Sequence, residues 1–162
     1  MTAVLVDSNV LLDVMTEDPS WHSWSAEAIE QAADRYRLVI NPVIYAEVFI
    51  RYSRIEKLDA ALPKTVFDRE SIPYAAAFLA AKSFLASRRR GGTRRSLLPD
   101  VFIGAHAAVG GYRLITRDWR AIAHISQVVA DRSRLSCRLA RESGAGSLSV
   151  IGIGVRVRRI SC

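Results

Sequence analysis

Short apolar runs of strand length alternate along the chain with longer segments that have the apolar spacing of helices. Residues 3–6, 38–40 and 112–115 are runs of the first kind, and the weakly patterned residues 65–71 are interpreted as a further extended segment. Helices are predicted from residue 8 onward and over residues 20–35, 42–50, 54–61, 74–87 and 100–109. Because strands that alternate with helices usually pair in parallel, the pattern predicts an α/β fold with a mainly parallel central sheet.

The composition is that of a soluble globular domain. The 162 residues are 50% hydrophobic and 24% charged, and a chain of this length is large enough to bury one apolar core. The N-terminal MTAVLVDSN lacks the basic start of a signal peptide, so a cytoplasmic location is predicted. Cys137 and Cys162 have no metal-binding spacing and are predicted to be free thiols.

The net charge of +7 is distributed unevenly. Residues 1–118 carry fifteen basic and fourteen acidic side chains, whereas residues 119–162 carry eight and two. Within the first part, the basic residues cluster in the sequence SRRRGGTRRS, namely Arg88, Arg89, Arg90, Arg94 and Arg95. Arginine binds phosphate through a planar fork of donors, so this loop is interpreted either as an RNA-binding segment or as a solvated surface loop.

Four acidic residues stand where an apolar segment meets a turn or a helix face: Asp7, Glu47, Asp100 and Asp118. Carboxylates that converge at an apolar boundary repel one another unless a cation lies between them, which favours a divalent metal site. Each acid also has a structural interpretation. Asp7 and Asp100 are suited to cap helices, Glu47 to pair with Arg51 one turn later, and Asp118 to stabilise a turn.

Three segments of the chain occur in the order typical of a known family. VDSNVLLDV, NPVIYAEVF and LPDVFIGAHAAVGGYRLITRDWR resemble the PIN-domain ribonucleases, and most closely the VapC-type toxins of bacterial toxin–antitoxin systems. The resemblance covers roughly residues 3–120. It implies a PIN-like three-layer sandwich, with about four or five strands in the central sheet and helices on both of its faces.

The resemblance also implies a site and an activity. In this family the acids bind Mg²⁺ or Mn²⁺, and the enzymes cleave RNA to leave a 5′-phosphate and a 3′-hydroxyl. The matching catalytic and metal-binding positions here are Asp7, Glu47, Asp100 and Asp118, with supporting roles for Asn9 and Thr116. The family further implies a cognate antitoxin protein and a homodimer or toxin–antitoxin hetero-oligomer. A metal-dependent endoribonuclease toxin is therefore predicted.

Two other functions are consistent with parts of the sequence. One is a non-catalytic PIN-like binding module acting within an antitoxin complex, which the four intact acids argue against. The other is a receiver-like phosphoacceptor domain, which also places acids at strand ends. A receiver-like domain is expected to have Lys after a late strand, where TRDWR has Arg117. His106 lies six residues after Asp100 in a predicted helix, on a different face, and is predicted to have a packing role.

The C-terminal part departs from the family pattern. The nuclease domain is predicted over residues 1–130, with residues 127–130 replacing a final strand, and residues 131–162 form an atypical Arg-rich tail without lysine. A frameshift or a lost stop codon in a GC-rich gene would produce such a composition. An RNA-binding extension is the competing interpretation.

Overall fold

Four parallel strands form the centre of the protein. The computed structural model describes residues 3–89 and 98–118 and the single residue 125. In this part of the chain the strands are β1 (Ala3–Val6), β2 (Arg37–Ile40), β3 (Phe67–Arg69) and β4 (Arg113–Ile115). They pair in the order β3-β2-β1-β4, and every pair is parallel. The predicted α/β fold is confirmed.

Six helices connect or follow these strands within the described residues. They are α1 (Ser8–Met15), α2 (His22–Ala33), α3 (Pro42–Phe49), α4 (Ile55–Ala61), α5 (Tyr74–Arg89) and α6 (Leu98–Gly110). The predicted boundaries are close to these. Helix α2 begins later than predicted, because the Asp18 carboxylate accepts the N–H groups of Ser20 and Trp21 and holds them in a turn. Helix α6 begins two residues earlier than Asp100.

The strand order creates a switch point between β1 and β4. From β1 the chain moves to β2 and then to β3 in one direction, and it then returns to the other side of β1 to form β4. Right-handed crossovers therefore place α1 to α4 on one face of the sheet and α5 and α6 on the other. In sheets of this kind a crevice opens outside the carboxyl ends of the two strands at the switch point, where ligands bind.

The central strand is fully buried, as its continuous apolar sequence predicts. All four residues of β1 are buried, and Leu5 and Val6 have no exposed surface. A strand covered on both faces has no polar side, which explains why AVLV shows no alternation. The first polar residue after β1 is Asp7, at the carboxyl end of the strand.

Helix α3, which carries Glu47, has a well-defined start. The Asn41 side chain accepts the N–H groups of Val43 and Ile44 at 3.0 Å, and Pro42 occupies the first turn. The Asn41 amide nitrogen lies 3.2 Å from His106 Nδ1 on α6, and both side chains are buried. An amide nitrogen can only donate, so His106 Nδ1 accepts this hydrogen bond, and burial favours the neutral ring because it lowers the pKa of His106. The bond joins the two helices that carry Glu47 and Asp100.

Helix α6 ends as predicted, at the Gly-Gly pair. Gly111 has a φ of 65°, and the Tyr112 N–H donates to the Ala107 carbonyl at 2.9 Å. This is the helix ending that favours glycine, because a side chain is strained in the left-handed region. The turn directs the chain into β4 and on to residues 116–118.

Several predictions fall outside the described residues. These are the roles of Arg90, Arg94 and Arg95, the strand over residues 127–130, the boundary at residue 130, the tail over residues 131–162 and both cysteine thiols. In the part of the chain that is described, no helix is long and apolar enough to cross a membrane.

Candidate active site

Asp7 lies at the switch point and is almost completely buried. It follows β1 directly, its side chain and backbone are 3% exposed, and its N–H donates to the Ile115 carbonyl at the end of β4. The residue occupies the N-cap position of α1, but its carboxylate makes no capping hydrogen bond. Instead, Asp7 Oδ2 accepts from Thr116 Oγ1 at 2.6 Å and from Asn9 Nδ2 at 2.7 Å. The capping interpretation of Asp7 is therefore wrong.

Glu47 is joined to the same place by a hydroxyl group. Ser8 Oγ donates to Glu47 Oε2 at 2.6 Å and lies 3.4 Å from Asp7 Oδ1. Ser8 is buried, and its hydroxyl bridges the carboxylate of Asp7 and the half-buried carboxylate of Glu47 on α3. Its role depends on a contact across 39 residues of sequence, which is why the sequence identified Ser8 only as a helix start.

The turn after β4 brings Thr116 and Asp118 to the same edge of the sheet. Thr116 Oγ1 donates to Asp7, accepts from Asn9 Nδ2 at 3.2 Å, and accepts the N–H of Asp118 at 3.1 Å. The supporting residues Asn9 and Thr116 are thus in direct contact with Asp7. Asp118 itself is exposed at the mouth of the crevice.

Asp100 lies in the first turn of α6 and completes the acidic group. Burial, and to a smaller extent the negative charges of Asp7, Glu47 and Asp118 in that order, together raise the pKa of its carboxyl to about 6. Burial also raises the pKa of Asp7, with a smaller contribution from the charge of Glu47, while the Thr116 hydroxyl opposes the shift. Asp100 therefore lies within electrostatic range of the other three predicted acids, in a partly desolvated crevice lined by these four carboxylates.

The four acids do not form a closed cage of ligands. Within residues 3–89 and 98–118, no three His, Cys, Asp or Glu side chains stand close enough together for a preformed metal site. The repulsion that raises the pKa of Asp100 opposes a closer approach of these carboxylates. Their oxygens are the hard ligands that Mg²⁺ and Mn²⁺ prefer, so the donor set fits such an ion.

The basic residues and the histidine singled out in the sequence lie on α5, on α6 or outside the described region. Arg88 and Arg89 are exposed in the last turn of α5, where the Arg88 guanidinium lies 5.9 Å from the Phe84 ring. His106 is buried and its ring packs edge-to-face against the Tyr112 ring, which agrees with the predicted packing role. Among the ion pairs of the described residues, none joins Glu47 and Arg51.

Two charged residues beside the crevice have contacts that the sequence did not reveal. Asp13 on α1 is 2% exposed, and Arg117 is the central residue of the turn between Thr116 and Asp118. They form an ion pair with an Nε–Oδ2 distance of 3.2 Å. The spacing from Asn9 to Asp13 places both on one face of α1, but no local sequence pattern links Asp13 to Arg117.

The family is established by comparison with known domains. The family model of the PIN domain matches residues 4–127. The chain belongs to the PIN-domain family. This match spans both strands of the switch point and all four acids. No curated protein sequence matches the chain significantly.

Solved structures share this PIN fold. VapBC2 from Rickettsia felis, bound to a DNA fragment from its promoter, has 14% sequence identity and a TM-score of 0.60, over 76% of this chain and 95% of that chain. VapBC-1 from nontypeable Haemophilus influenzae has 20% identity and a TM-score of 0.60, over 78% and 94%. A toxin–antitoxin complex from Klebsiella pneumoniae has 23% identity and a TM-score of 0.55, over 75% and 91%. At these identities the likeness is one of fold.

Proposed function

We propose that this PIN-domain protein is a metal-dependent endoribonuclease and acts as the toxin of a type II toxin–antitoxin system. The observation that carries the proposal is the acidic crevice at the switch point of the sheet. Asp7, Glu47, Asp100 and Asp118 come from four different elements, and their mutual repulsion contributes to the raised pKa of Asp100. A protein that needed these acids only for stability would gain by separating them.

The proposed cofactor is Mg²⁺ or Mn²⁺, held by Asp7, Glu47 and Asp100 with Asp118 as the outer ligand. When bound, such an ion supplies Lewis acidity and activates water for hydrolysis of an RNA phosphodiester. The chain's own residues prepare this site. Asn9 and Thr116 both donate to Asp7 Oδ2, which leaves Oδ1 toward Ser8 and Glu47.

The proposed substrate is RNA with an accessible backbone. Arg88 and Arg89 end α5 with exposed side chains, and the chain continues from them toward the start of α6, which carries Asp100. We propose that these two, together with Arg90, Arg94 and Arg95, bind RNA phosphates. Guanidinium groups suit this role because they donate two parallel hydrogen bonds to a phosphate.

The proposed partner is a cognate antitoxin protein. Several of the solved structures that share the fold are toxin–antitoxin complexes, which supports a partner of this kind. Trp21, the N-cap residue of α2, is 37% exposed and packs edge-on against Trp24. Exposed aromatic side chains are common in protein interfaces, and a homodimer or a toxin–antitoxin hetero-oligomer would cover such surfaces.

Cleavage of RNA by the purified chain tests the proposal. We expect total RNA to be cut in Mg²⁺ or Mn²⁺ and to remain intact in excess chelator, with products that carry 5′-phosphates. Glu30→Gln is the matched control, because it removes an exposed carboxylate from α2, and it should cleave at the wild-type rate. Cleavage that persists in chelator would reject a metal mechanism.

The second candidate function is a non-catalytic binding module within an antitoxin complex. The toxin–antitoxin neighbours are compatible with it. It predicts that the purified chain leaves RNA intact in every divalent ion while still binding an antitoxin. The same cleavage assay therefore distinguishes the two functions.

A further inference from the structure

Asp13 is a buried carboxylate that is not among the four proposed metal ligands. It lies on α1, one helical turn after Asn9, and Ser25 Oγ of α2 donates to its Oδ2 at 2.7 Å. A buried carboxylate is strongly destabilising unless a positive charge compensates it. That charge is Arg117, whose Nε lies 3.2 Å from the same oxygen. The N–H does not point along this line, so the contact is an ion pair without a directional hydrogen bond.

Arg117 is held by further contacts on the side of α1 and α2. Its guanidinium carbon lies 5.3 Å from the centre of the Trp21 ring, and its backbone N–H donates to Asn9 Oδ1 at 3.3 Å. An arginine with an anionic partner and an aromatic ring beneath it is restricted in its rotamers. Its side chain is 31% exposed, yet its charge is already paired.

The two neighbours of Arg117 in the sequence face the acidic crevice. Thr116 donates to Asp7, and Asp118 donates its N–H to Thr116. In three consecutive residues, the outer two therefore serve the crevice while the central side chain is anchored outside it. Because the three residues are consecutive, the contacts that hold the Arg117 side chain also restrict the positions of Thr116 and Asp118.

We propose that the Asp13–Arg117 ion pair is a positioning device for the acidic crevice. Asp13 anchors Arg117 against α1, and this anchor holds Thr116 against Asp7 and keeps Asp118 at the mouth of the crevice. Arg117 is then a positioning residue and does not bind the RNA phosphate. The effect on cleavage rests on the proposed nuclease function, whereas the effect on Mn²⁺ binding rests only on the proposed metal site.

A double-mutant cycle tests this assignment. The variants are Asp13→Asn, Arg117→Gln and the double variant, with Arg117→Lys as the conservative rescue and Glu30→Gln as the control. Each single variant should lower kcat for RNA cleavage about tenfold with KM changed less than about twofold, because a small misplacement of catalytic groups has a large effect on rate. The double variant should lose no more than either single variant, since both remove one interaction. Arg117→Lys should retain most of the rate.

Calorimetric titration with Mn²⁺ alone gives an independent measure. The affinity of the chain for Mn²⁺ should fall about threefold to tenfold in both single variants, as for other residues that orient metal ligands.

A raised KM in Arg117→Gln, with Asp13→Asn unaffected, would instead make Arg117 an RNA-binding residue. If the variants have a lower melting temperature but keep the wild-type kcat and Mn²⁺ affinity, the ion pair has only a structural role. If the wild-type chain cleaves no RNA, the nuclease proposal fails and the Mn²⁺ series still decides the positioning proposal.

Discussion

Asp7→Asn is expected to lower the rate of RNA cleavage by at least about 100-fold without unfolding the protein. This loss corresponds to about 2.7 kcal/mol of transition-state stabilisation. The two short hydrogen bonds to the Asp7 carboxylate, from Thr116 Oγ1 and Asn9 Nδ2, both reach Oδ2, whereas Ser8 Oγ lies 3.4 Å from Oδ1. An Asn side chain keeps both bonds through its carbonyl oxygen and places its amide nitrogen where Oδ1 faces Ser8 and Glu47. The substitution therefore removes the negative charge and one cation ligand while the hydrogen bonds from Thr116 and Asn9 remain.

The measurement for Asp7→Asn is kcat/KM on one labelled RNA, with far-ultraviolet circular dichroism to establish folding. Because burial raises the pKa of Asp7, the neutral Asn side chain should leave thermal stability unchanged or higher in chelator. Glu30→Gln, with the same change from an acid to an amide at an exposed position, should keep wild-type activity. Wild-type cleavage by Asp7→Asn would contradict the assignment of the site.

Asp100→Asn is expected to stabilise the metal-free protein and to abolish cleavage. The pKa of Asp100 is raised from 3.8 to about 6 in the folded state. The folded protein therefore holds this proton more tightly than the unfolded chain, and stability falls as the pH rises from about 4 through 6. The full shift corresponds to about 3 kcal/mol, and because the carboxyl is only half-buried, solvent screening reduces the expected effect to about 1–2 kcal/mol.

Urea denaturation of the wild type and Asp100→Asn, in chelator and across pH 4 to 8, measures this effect. The free energy of unfolding of the variant should exceed that of the wild type by about 1–2 kcal/mol at pH 7, and the difference should vanish near pH 4. Saturating Mn²⁺ should reverse the order. An ion at about 100 times its Kd stabilises the wild type by about 2.7 kcal/mol. A variant that is less stable than the wild type at pH 7 in chelator would contradict the electrostatic account.

Elements of the fold were predictable from the sequence where a local pattern has a single physical cause. A run such as AVLV is apolar on both sides because both faces of β1 are covered, and Asn41-Pro42 starts a helix because Asn caps it and Pro lacks an N–H to leave unpaired. The start of α2 was less predictable. The side chain of Asp18 holds Ser20 and Trp21 in a turn, and these two hydrogen bonds compete with an earlier helix start.

The candidate site was predictable in its acids and less so in its other contacts. Parallel strands end at one edge of the sheet, so Asp7 and Asp118 had to lie near each other once β1 and β4 were adjacent. The partner of Glu47 was not predictable. Local spacing suggested Arg51, but the carboxylate accepts from Ser8, which lies 39 residues earlier. Contacts across such distances in the chain depend on packing rather than on local pattern, and the same is true of Asp13 and Arg117.

Binding of Mn²⁺ to the wild type and to Asp7→Asn at pH 7.5 tests the acidic crevice most directly. We predict that calorimetric titration shows Mn²⁺ binding by the wild-type chain and at least about tenfold weaker binding by Asp7→Asn, because an anionic ligand becomes a neutral one. Glu30→Gln should bind as the wild type does. Absence of Mn²⁺ binding by the wild type, or equal affinity in Asp7→Asn, would contradict the account of these four carboxylates as one divalent cation site.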